Sequence, residues 1–122
     1  MSKKSTPDSW TSPEVARILG VDRRIPTIWA ERGYISPSIE DANGRGTKRL
    51  WSYLDVVKMA ALSELRGTLS PKVLRQLMGL SAMAWLARPY FYFKTGDVVI
   101  SVQTRRIRGK VDALIEKANP AR

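Results

Sequence analysis

The chain contains no histidine and no cysteine. That removes thiol nucleophiles, disulfides, zinc ribbons, haem attachment and every imidazole general base before any fold is considered. The carboxylates do not cluster, so no acid–base pair or metal cage is expected. The chain is read as non-enzymatic, with no catalytic residues, metal or cofactor. What remains is cationic chemistry: 21 Lys plus Arg stand against 11 Asp plus Glu in 122 residues, a formal charge of +10, with a pI near 10.4. Such an excess suits a polyanionic partner. Residues 1–50 carry nine basic and six acidic side chains, 51–88 five and two, and 89–122 seven and three. A folded surface lying along a phosphate backbone fits this spread better than a basic tail does.

Several groups of side chains could grip or read such a partner. Arg23, Arg24 and Thr27 fall around the start of a short helix, and arginine offers two parallel donors to guanine O6 and N7, so these three are candidates for the major groove. Arg17, one helix earlier, is a candidate phosphate contact. Arg45, Lys48 and Arg49 surround Gly44 and Gly46. Glycines there let backbone approach a duplex closely, and the flanking charges can neutralise phosphates or enter the minor groove. The run Gly-Arg-Gly-Thr-Lys lacks the spacing of a nucleotide phosphate loop. Tyr53 offers a polar tip to phosphate. The densest basic run, Arg105, Arg106, Arg108 and Lys110, lies beside an apolar helical stripe and reads as that helix's solvated face. Tyr90, Phe91, Tyr92 and Phe93 could stack on bases, but a hairpin with such alternation more readily packs against helices or a second subunit.

The elements that must position these groups are marked by caps and breakers. Residues 1–9 are polar, include Pro7, and are expected to form a flexible arm. Thr11-Ser12-Pro13-Glu14 carries a capping box for a first helix that Gly20 stops. A second short helix ends near Arg32, with Gly33 just beyond. Pro26 lacks an N–H and belongs in a first turn, so this helix is expected to begin near Ile25. Tyr34 to Ile39 reads as extended. With the turn-forming stretch 41–47 and a short strand at Lys48 to Trp51 it suggests a small basic hairpin, a wing. Ser52 and Asp55 cap a third helix and Ser70-Pro71 a fourth. Tyr90–Lys94 and Val98–Gln103 flank Thr95-Gly96-Asp97 as a β-hairpin. From Thr104 to about Ala118, Ile107, Val111, Leu114 and Ala118 form one apolar stripe. Trp29, Tyr34 and Trp51 are assigned to the core.

The motifs from Thr11-Ser12-Pro13-Glu14-Val15-Ala16 and Gly20-Val21, through Glu31-Arg32-Gly33-Tyr34-Ile35-Ser36-Pro37 and Arg49-Leu50-Trp51-Ser52, to Leu69-Ser70-Pro71 and Leu74 resemble, in this order, the MerR-like winged helix-turn-helix family. The resemblance covers about residues 10–78. It implies a DNA-binding domain that usually acts as a dimer at promoter DNA. Two departures stand out. The second helix fits only with an offset of about one residue around Pro26. The C-terminus has a hairpin and about four turns of helix where family members commonly have a long antiparallel dimerisation helix.

The expected fold is therefore mainly α with small β elements: a winged helix-turn-helix domain over residues 10–87, then a hairpin and helix over 88–122 that dimerise or bind a protein partner. The dimerisation stripe is assigned to Ile107, Val111, Leu114 and Ala118. The expected function is sequence-specific binding of double-stranded DNA by a homodimeric transcriptional regulator, in a prokaryotic or phage setting. Two alternatives stay open: an excisionase-like DNA-bending factor, and an antitoxin whose C-terminal element neutralises a partner. No apolar run approaches the ~20 residues a membrane span requires, and residues 1–9 lack the apolar core of a signal peptide. A cytoplasmic, nucleoid-associated protein is expected.

Overall fold

A computed structural model describes residues 9–39 and 49–118. Its elements run β1 (Trp10–Thr11), α1 (Ser12–Leu19), α2 (Ile25–Glu31), β2 (Leu50–Trp51), α3 (Tyr53–Leu65), α4 (Pro71–Met78), α5 (Ala82–Leu86), β3 (Phe91–Thr95), β4 (Val98–Val102) and α6 (Thr104–Ala118). The described residues are thus mainly helical, with two small antiparallel strand pairs.

Local chemistry explains where the helices start. The Thr11 hydroxyl accepts the Glu14 N–H while the Glu14 carboxylate accepts the Thr11 N–H at 2.8 Å, so two orphan donors of α1 are satisfied reciprocally. Gly20 ends α1 in the left-handed region at φ +71°, a conformation a Cβ would penalise. Ser52 and Asp55 repeat the box on α3, and Ser70 caps α4 ahead of Pro71. α2 begins at Ile25 with Pro26 in its first turn, where a missing N–H costs nothing.

The two-residue strands lock the start of the chain to its middle. Trp10 pairs with Trp51 and Thr11 with Leu50, and the Trp51 indole N–H donates to Ser12 Oγ at 2.9 Å. This revises the expected partner of the strand that ends the wing. Strand β2 pairs with β1, not with the extended stretch after Tyr34. Within that stretch Pro37 has no N–H and Ser38 gives its own to Asp55 at 2.7 Å, so neither donates to a ladder. The Gly-rich tip, with Arg45 and Lys48, lies outside the described residues, as do residues 1–8 of the expected arm.

One core joins all the helices except for their outer faces. Trp51, Val56, Val57, Met59, Leu62, Leu77 and Trp85 are fully buried. The last helix lies back across α1 and α3, burying Val111 completely and Ile107 nearly so. Its N-terminal end is pinned to the segment after α5: Thr104 Oγ1 donates to the Arg88 carbonyl, and Arg108 donates to the carbonyls of Trp85 at 2.7 Å and Arg88 at 3.0 Å. Trp85 meets Phe91 edge-on at 5.2 Å, tying the β3–β4 hairpin to the same core. Edge-to-face aromatic pairs contribute about 0.5–1.5 kcal/mol beyond their buried area. No described helix is long and apolar enough to cross a membrane.

Candidate nucleic-acid interface

Helix α2 has two unlike sides. Pro26 and Trp29 are buried, and the Arg66 guanidinium lies 5.8 Å from the Trp29 ring. This anchors the helix to the C-terminal end of α3 by a cation–π contact. At the opposite end, Arg23 and Arg24 stand exposed just before the first turn, and Thr27 is half-buried. Arg24 is held loosely: its N–H donates to Asp22 Oδ1 at 2.9 Å, and its guanidinium sits 3.6 Å from the same oxygen. The Arg24 side chain is nonetheless 83% exposed and that of Asp22 60%. The backbone hydrogen bond from Arg24, aided by its charge, keeps the Asp22 carboxyl below the ordinary aspartate value. Asp22 thus fixes the direction from which Arg24 leaves the backbone without removing the guanidinium from solvent.

Arg17, exposed on α1, and Arg23 line one shallow hollow between α1 and the turn that follows it, floored by Ala16 and Val21, with the exposed Glu14 on the same lining. Of the sequence-assigned Arg17, Arg23, Arg24 and Thr27, the first two thus share one hollow, and Arg24 and Thr27 follow in sequence at the start of α2. An arginine pair spaced across a hollow can straddle a phosphate or a base edge, since guanidinium donors are forked and need not be collinear.

Two other candidates are placed differently. Arg49 is half-buried at the entry to β2 and makes an interaction within the chain. Tyr53 points at the last helix, with its hydroxyl donating to Asp112 Oδ1 at 2.6 Å. Burial first, then this hydrogen bond and the Asp112 charge, push the phenol well above the ordinary tyrosine value of 10.0. Its proton is thus committed to a carboxylate, and that carboxylate would repel a phosphate.

The run at the start of α6 is only half tied down. Arg108 serves two carbonyls, as above, and Lys110 faces Glu64 at 3.4 Å; Arg105 and Arg106 are exposed. In the stripe assigned to dimerisation, Ile107 and Val111 belong to the chain's own core, while Leu114 and Ala118 pack against that core and stay half-exposed. The first two are therefore unavailable to a twin chain in this conformation.

Sequence reasoning missed one residue that shapes this region. Asp55 is 1% exposed and accepts three hydrogen bonds: from Ser38 N at 2.7 Å, Ser38 Oγ at 2.6 Å and Ser52 N at 2.8 Å. It ties the stretch leading to the Gly-rich tip onto the first turn of α3. The Ser52–Asp55 spacing signals only its local cap. The bonds to Ser38 cross seventeen positions and leave no trace in sequence pattern. Half-buried Lys58 lies in the same neighbourhood; burial lowers its ammonium pKa and the Asp55 charge partly restores it. Among the described residues no group of three or more acidic side chains could hold a metal ion.

Comparison with known proteins gives limited likeness. No family model matches the chain. HTH-type transcriptional regulators of Mycobacterium bovis and of two strains of Mycobacterium tuberculosis are each 31% identical to it over 67 residues, 52% of this chain. The matched region spans 30% of the length of each relative. The likeness is thus to helix-turn-helix proteins, over about half of this chain.

Proposed function

We propose that the chain binds double-stranded DNA sequence-specifically as a homodimer and regulates transcription in the cytoplasm, on the nucleoid. The observation that carries this reading is the build of α2. Pro26 and Trp29 fix one side in the core, while Arg23 and Arg24 stand exposed at the other end beside Arg17. The mycobacterial relatives' names and the MerR-like order of motifs support the same reading. In it, the start of α2 enters the major groove, with Arg23, Arg24 and Thr27 toward base edges and Arg17 on phosphate. Arg45, Lys48 and Arg49 follow the flanking backbone as a wing, with Asp55 holding the wing's approach. Tyr53 leaves the contact set, because its hydroxyl serves Asp112.

Residues 10–87 then hold the DNA, and residues 88–122 serve assembly while sharing the same core. The dimer contact falls to the half-exposed end of the α6 stripe, Leu114 and Ala118. A two-fold dimer requires half-sites about 34 Å apart, or a multiple of that spacing.

Fluorescence anisotropy with a labelled duplex tests the wing. Affinity should fall steeply between about 50 and 200 mM salt, and Arg49→Ala should reduce the salt slope by about one counterion. An unchanged slope removes Arg49 from the phosphate contacts. Binding unaltered in Arg23→Ala/Arg24→Ala overturns the placement of α2.

A further inference from the structure

The hairpin's register leaves backbone groups of β4 without partners. Gly96 and Asp97 form a two-residue turn closed by Thr95 opposite Val98, and Gly96 sits at φ +60°, the positive φ that the tight turns of two-residue hairpins need at their first central residue. The pair flanking such a turn exchanges both backbone hydrogen bonds, and pairing alternates from there. Val98, Ile100 and Val102 therefore turn their N–H and C=O toward β3, while Val99 and Ser101 turn theirs to the other edge. Among the described residues no third strand and no hydrogen bond takes up those outward backbone groups.

This edge borders a built surface. Ile100, Ser101, Val102 and Gln103 line one groove together with parts of α3 and α6. Strand side chains alternate between faces, so four consecutive residues border one groove when it runs along the strand's edge. Its opposite wall is apolar, from Ala61, Leu65 and Ile107, and its rim carries Glu64, Arg106 and Lys110. Lys110 faces Glu64. Arg106 is exposed and makes no ion pair among the described residues, so the rim keeps a net positive charge.

We propose that this groove takes an extended acidic segment of a protein partner as a third strand beside β4. The segment's backbone bonds Val99 and Ser101, alternate apolar side chains turn toward Ala61 and Leu65, and a carboxylate meets Arg106. A second copy of this chain suits the groove less well, because neither of its longer strands, FYFKT in β3 and VVISV in β4, carries a carboxylate for Arg106. The inference goes beyond the DNA-binding reading and does not depend on it.

Selection of random displayed peptides of about ten residues, a full strand's length, against the purified full-length chain tests this. Enriched peptides should alternate Asp or Glu with Val or Ile and should lack proline. Ser101→Pro and Arg106→Glu should each weaken the best peptide about tenfold or more, the scale of one lost charged or backbone hydrogen bond. Ser101 donates nothing to the β3–β4 ladder, so proline there removes an edge donor and leaves the hairpin paired. Arg106→Glu, at an exposed position, gives a second reading independent of the backbone. Both variants should bind duplex DNA as the unaltered chain does, which separates failure here from failure of the DNA reading. Absence of acidic enrichment, or equal binding by both variants, overturns the proposal. Loss of self-association in Ser101→Pro with no peptide enriched also overturns it and assigns the edge to a twin chain.

Discussion

Two arginine-rich segments, Asp22 to Thr27 and Arg105 to Lys110, look alike in composition and differ in what their guanidinium groups do. In the second, Arg108 reaches the carbonyls of Trp85 and Arg88, and Lys110 faces Glu64. Arg108 closes the joint between α5 and α6, and Lys110 ties α6 to α3. In the first, Asp22 holds Arg24 only from the side, and the guanidinium stays 83% exposed. Charge density alone therefore does not locate a DNA surface. A guanidinium that serves two backbone carbonyls has less left for phosphate, whereas one braced by an exposed carboxylate keeps its fork toward solvent.

The largest effect should come from attacking the joint itself. Val111→Asp places a carboxylate at a fully buried position. Unfolding free energy should fall by about 3–5 kcal/mol, the scale of an uncompensated buried charge, as read by denaturant titration. A stable Val111→Asp chain would show that α6 does not share the core. Next, Arg24→Ala should relax discrimination at one base position by about 1–3 kcal/mol, measured with single-base variants of the bound duplex. Unchanged discrimination would place Arg24 on phosphate or solvent. Arg108→Ala should do the reverse: it should cost about 1–2 kcal/mol of stability by taking the Arg108 bond from the Trp85 carbonyl, while Arg88 keeps Thr104, with DNA affinity unchanged. Lost affinity in a folded Arg108→Ala chain would erase the contrast between the two segments.

The smallest effect concerns Tyr53. Its folded pKa is raised, so the bond to Asp112 contributes fully below the unfolded value of 10.0. The contribution is lost as pH climbs from there toward the folded value, because only the unfolded chain ionises in that window. Stability of the unaltered chain should therefore decline toward that of Tyr53→Phe above pH 10, by denaturant midpoint. A constant gap between the two would separate Tyr53 from the titration.

Much of the helical layout was legible because caps are local chemistry. Thr11 with Glu14, Ser52 with Asp55, and Ser70 with Pro71 mark starts that the structure keeps, and Pro26 places the first turn of α2. What escaped depends on distant partners. β1 has two residues, too few to show an alternating pattern, so its pairing with β2 was invisible. Asp55 reads as a cap and also holds Ser38. The α6 stripe announces a partner surface without saying whose: all four residues pack against α6's own chain, and only Leu114 and Ala118 stay partly exposed. At the candidate site, residue types were readable, but the orientation Asp22 imposes on Arg24 was not.

The most direct measurement is selection of random duplex DNA by the purified chain at ~150 mM salt, where purely electrostatic binding is suppressed. The account predicts an enriched inverted repeat that Arg24→Ala no longer selects at one position of each half-site. Binding at low salt with no enriched motif would contradict a sequence-specific dimer.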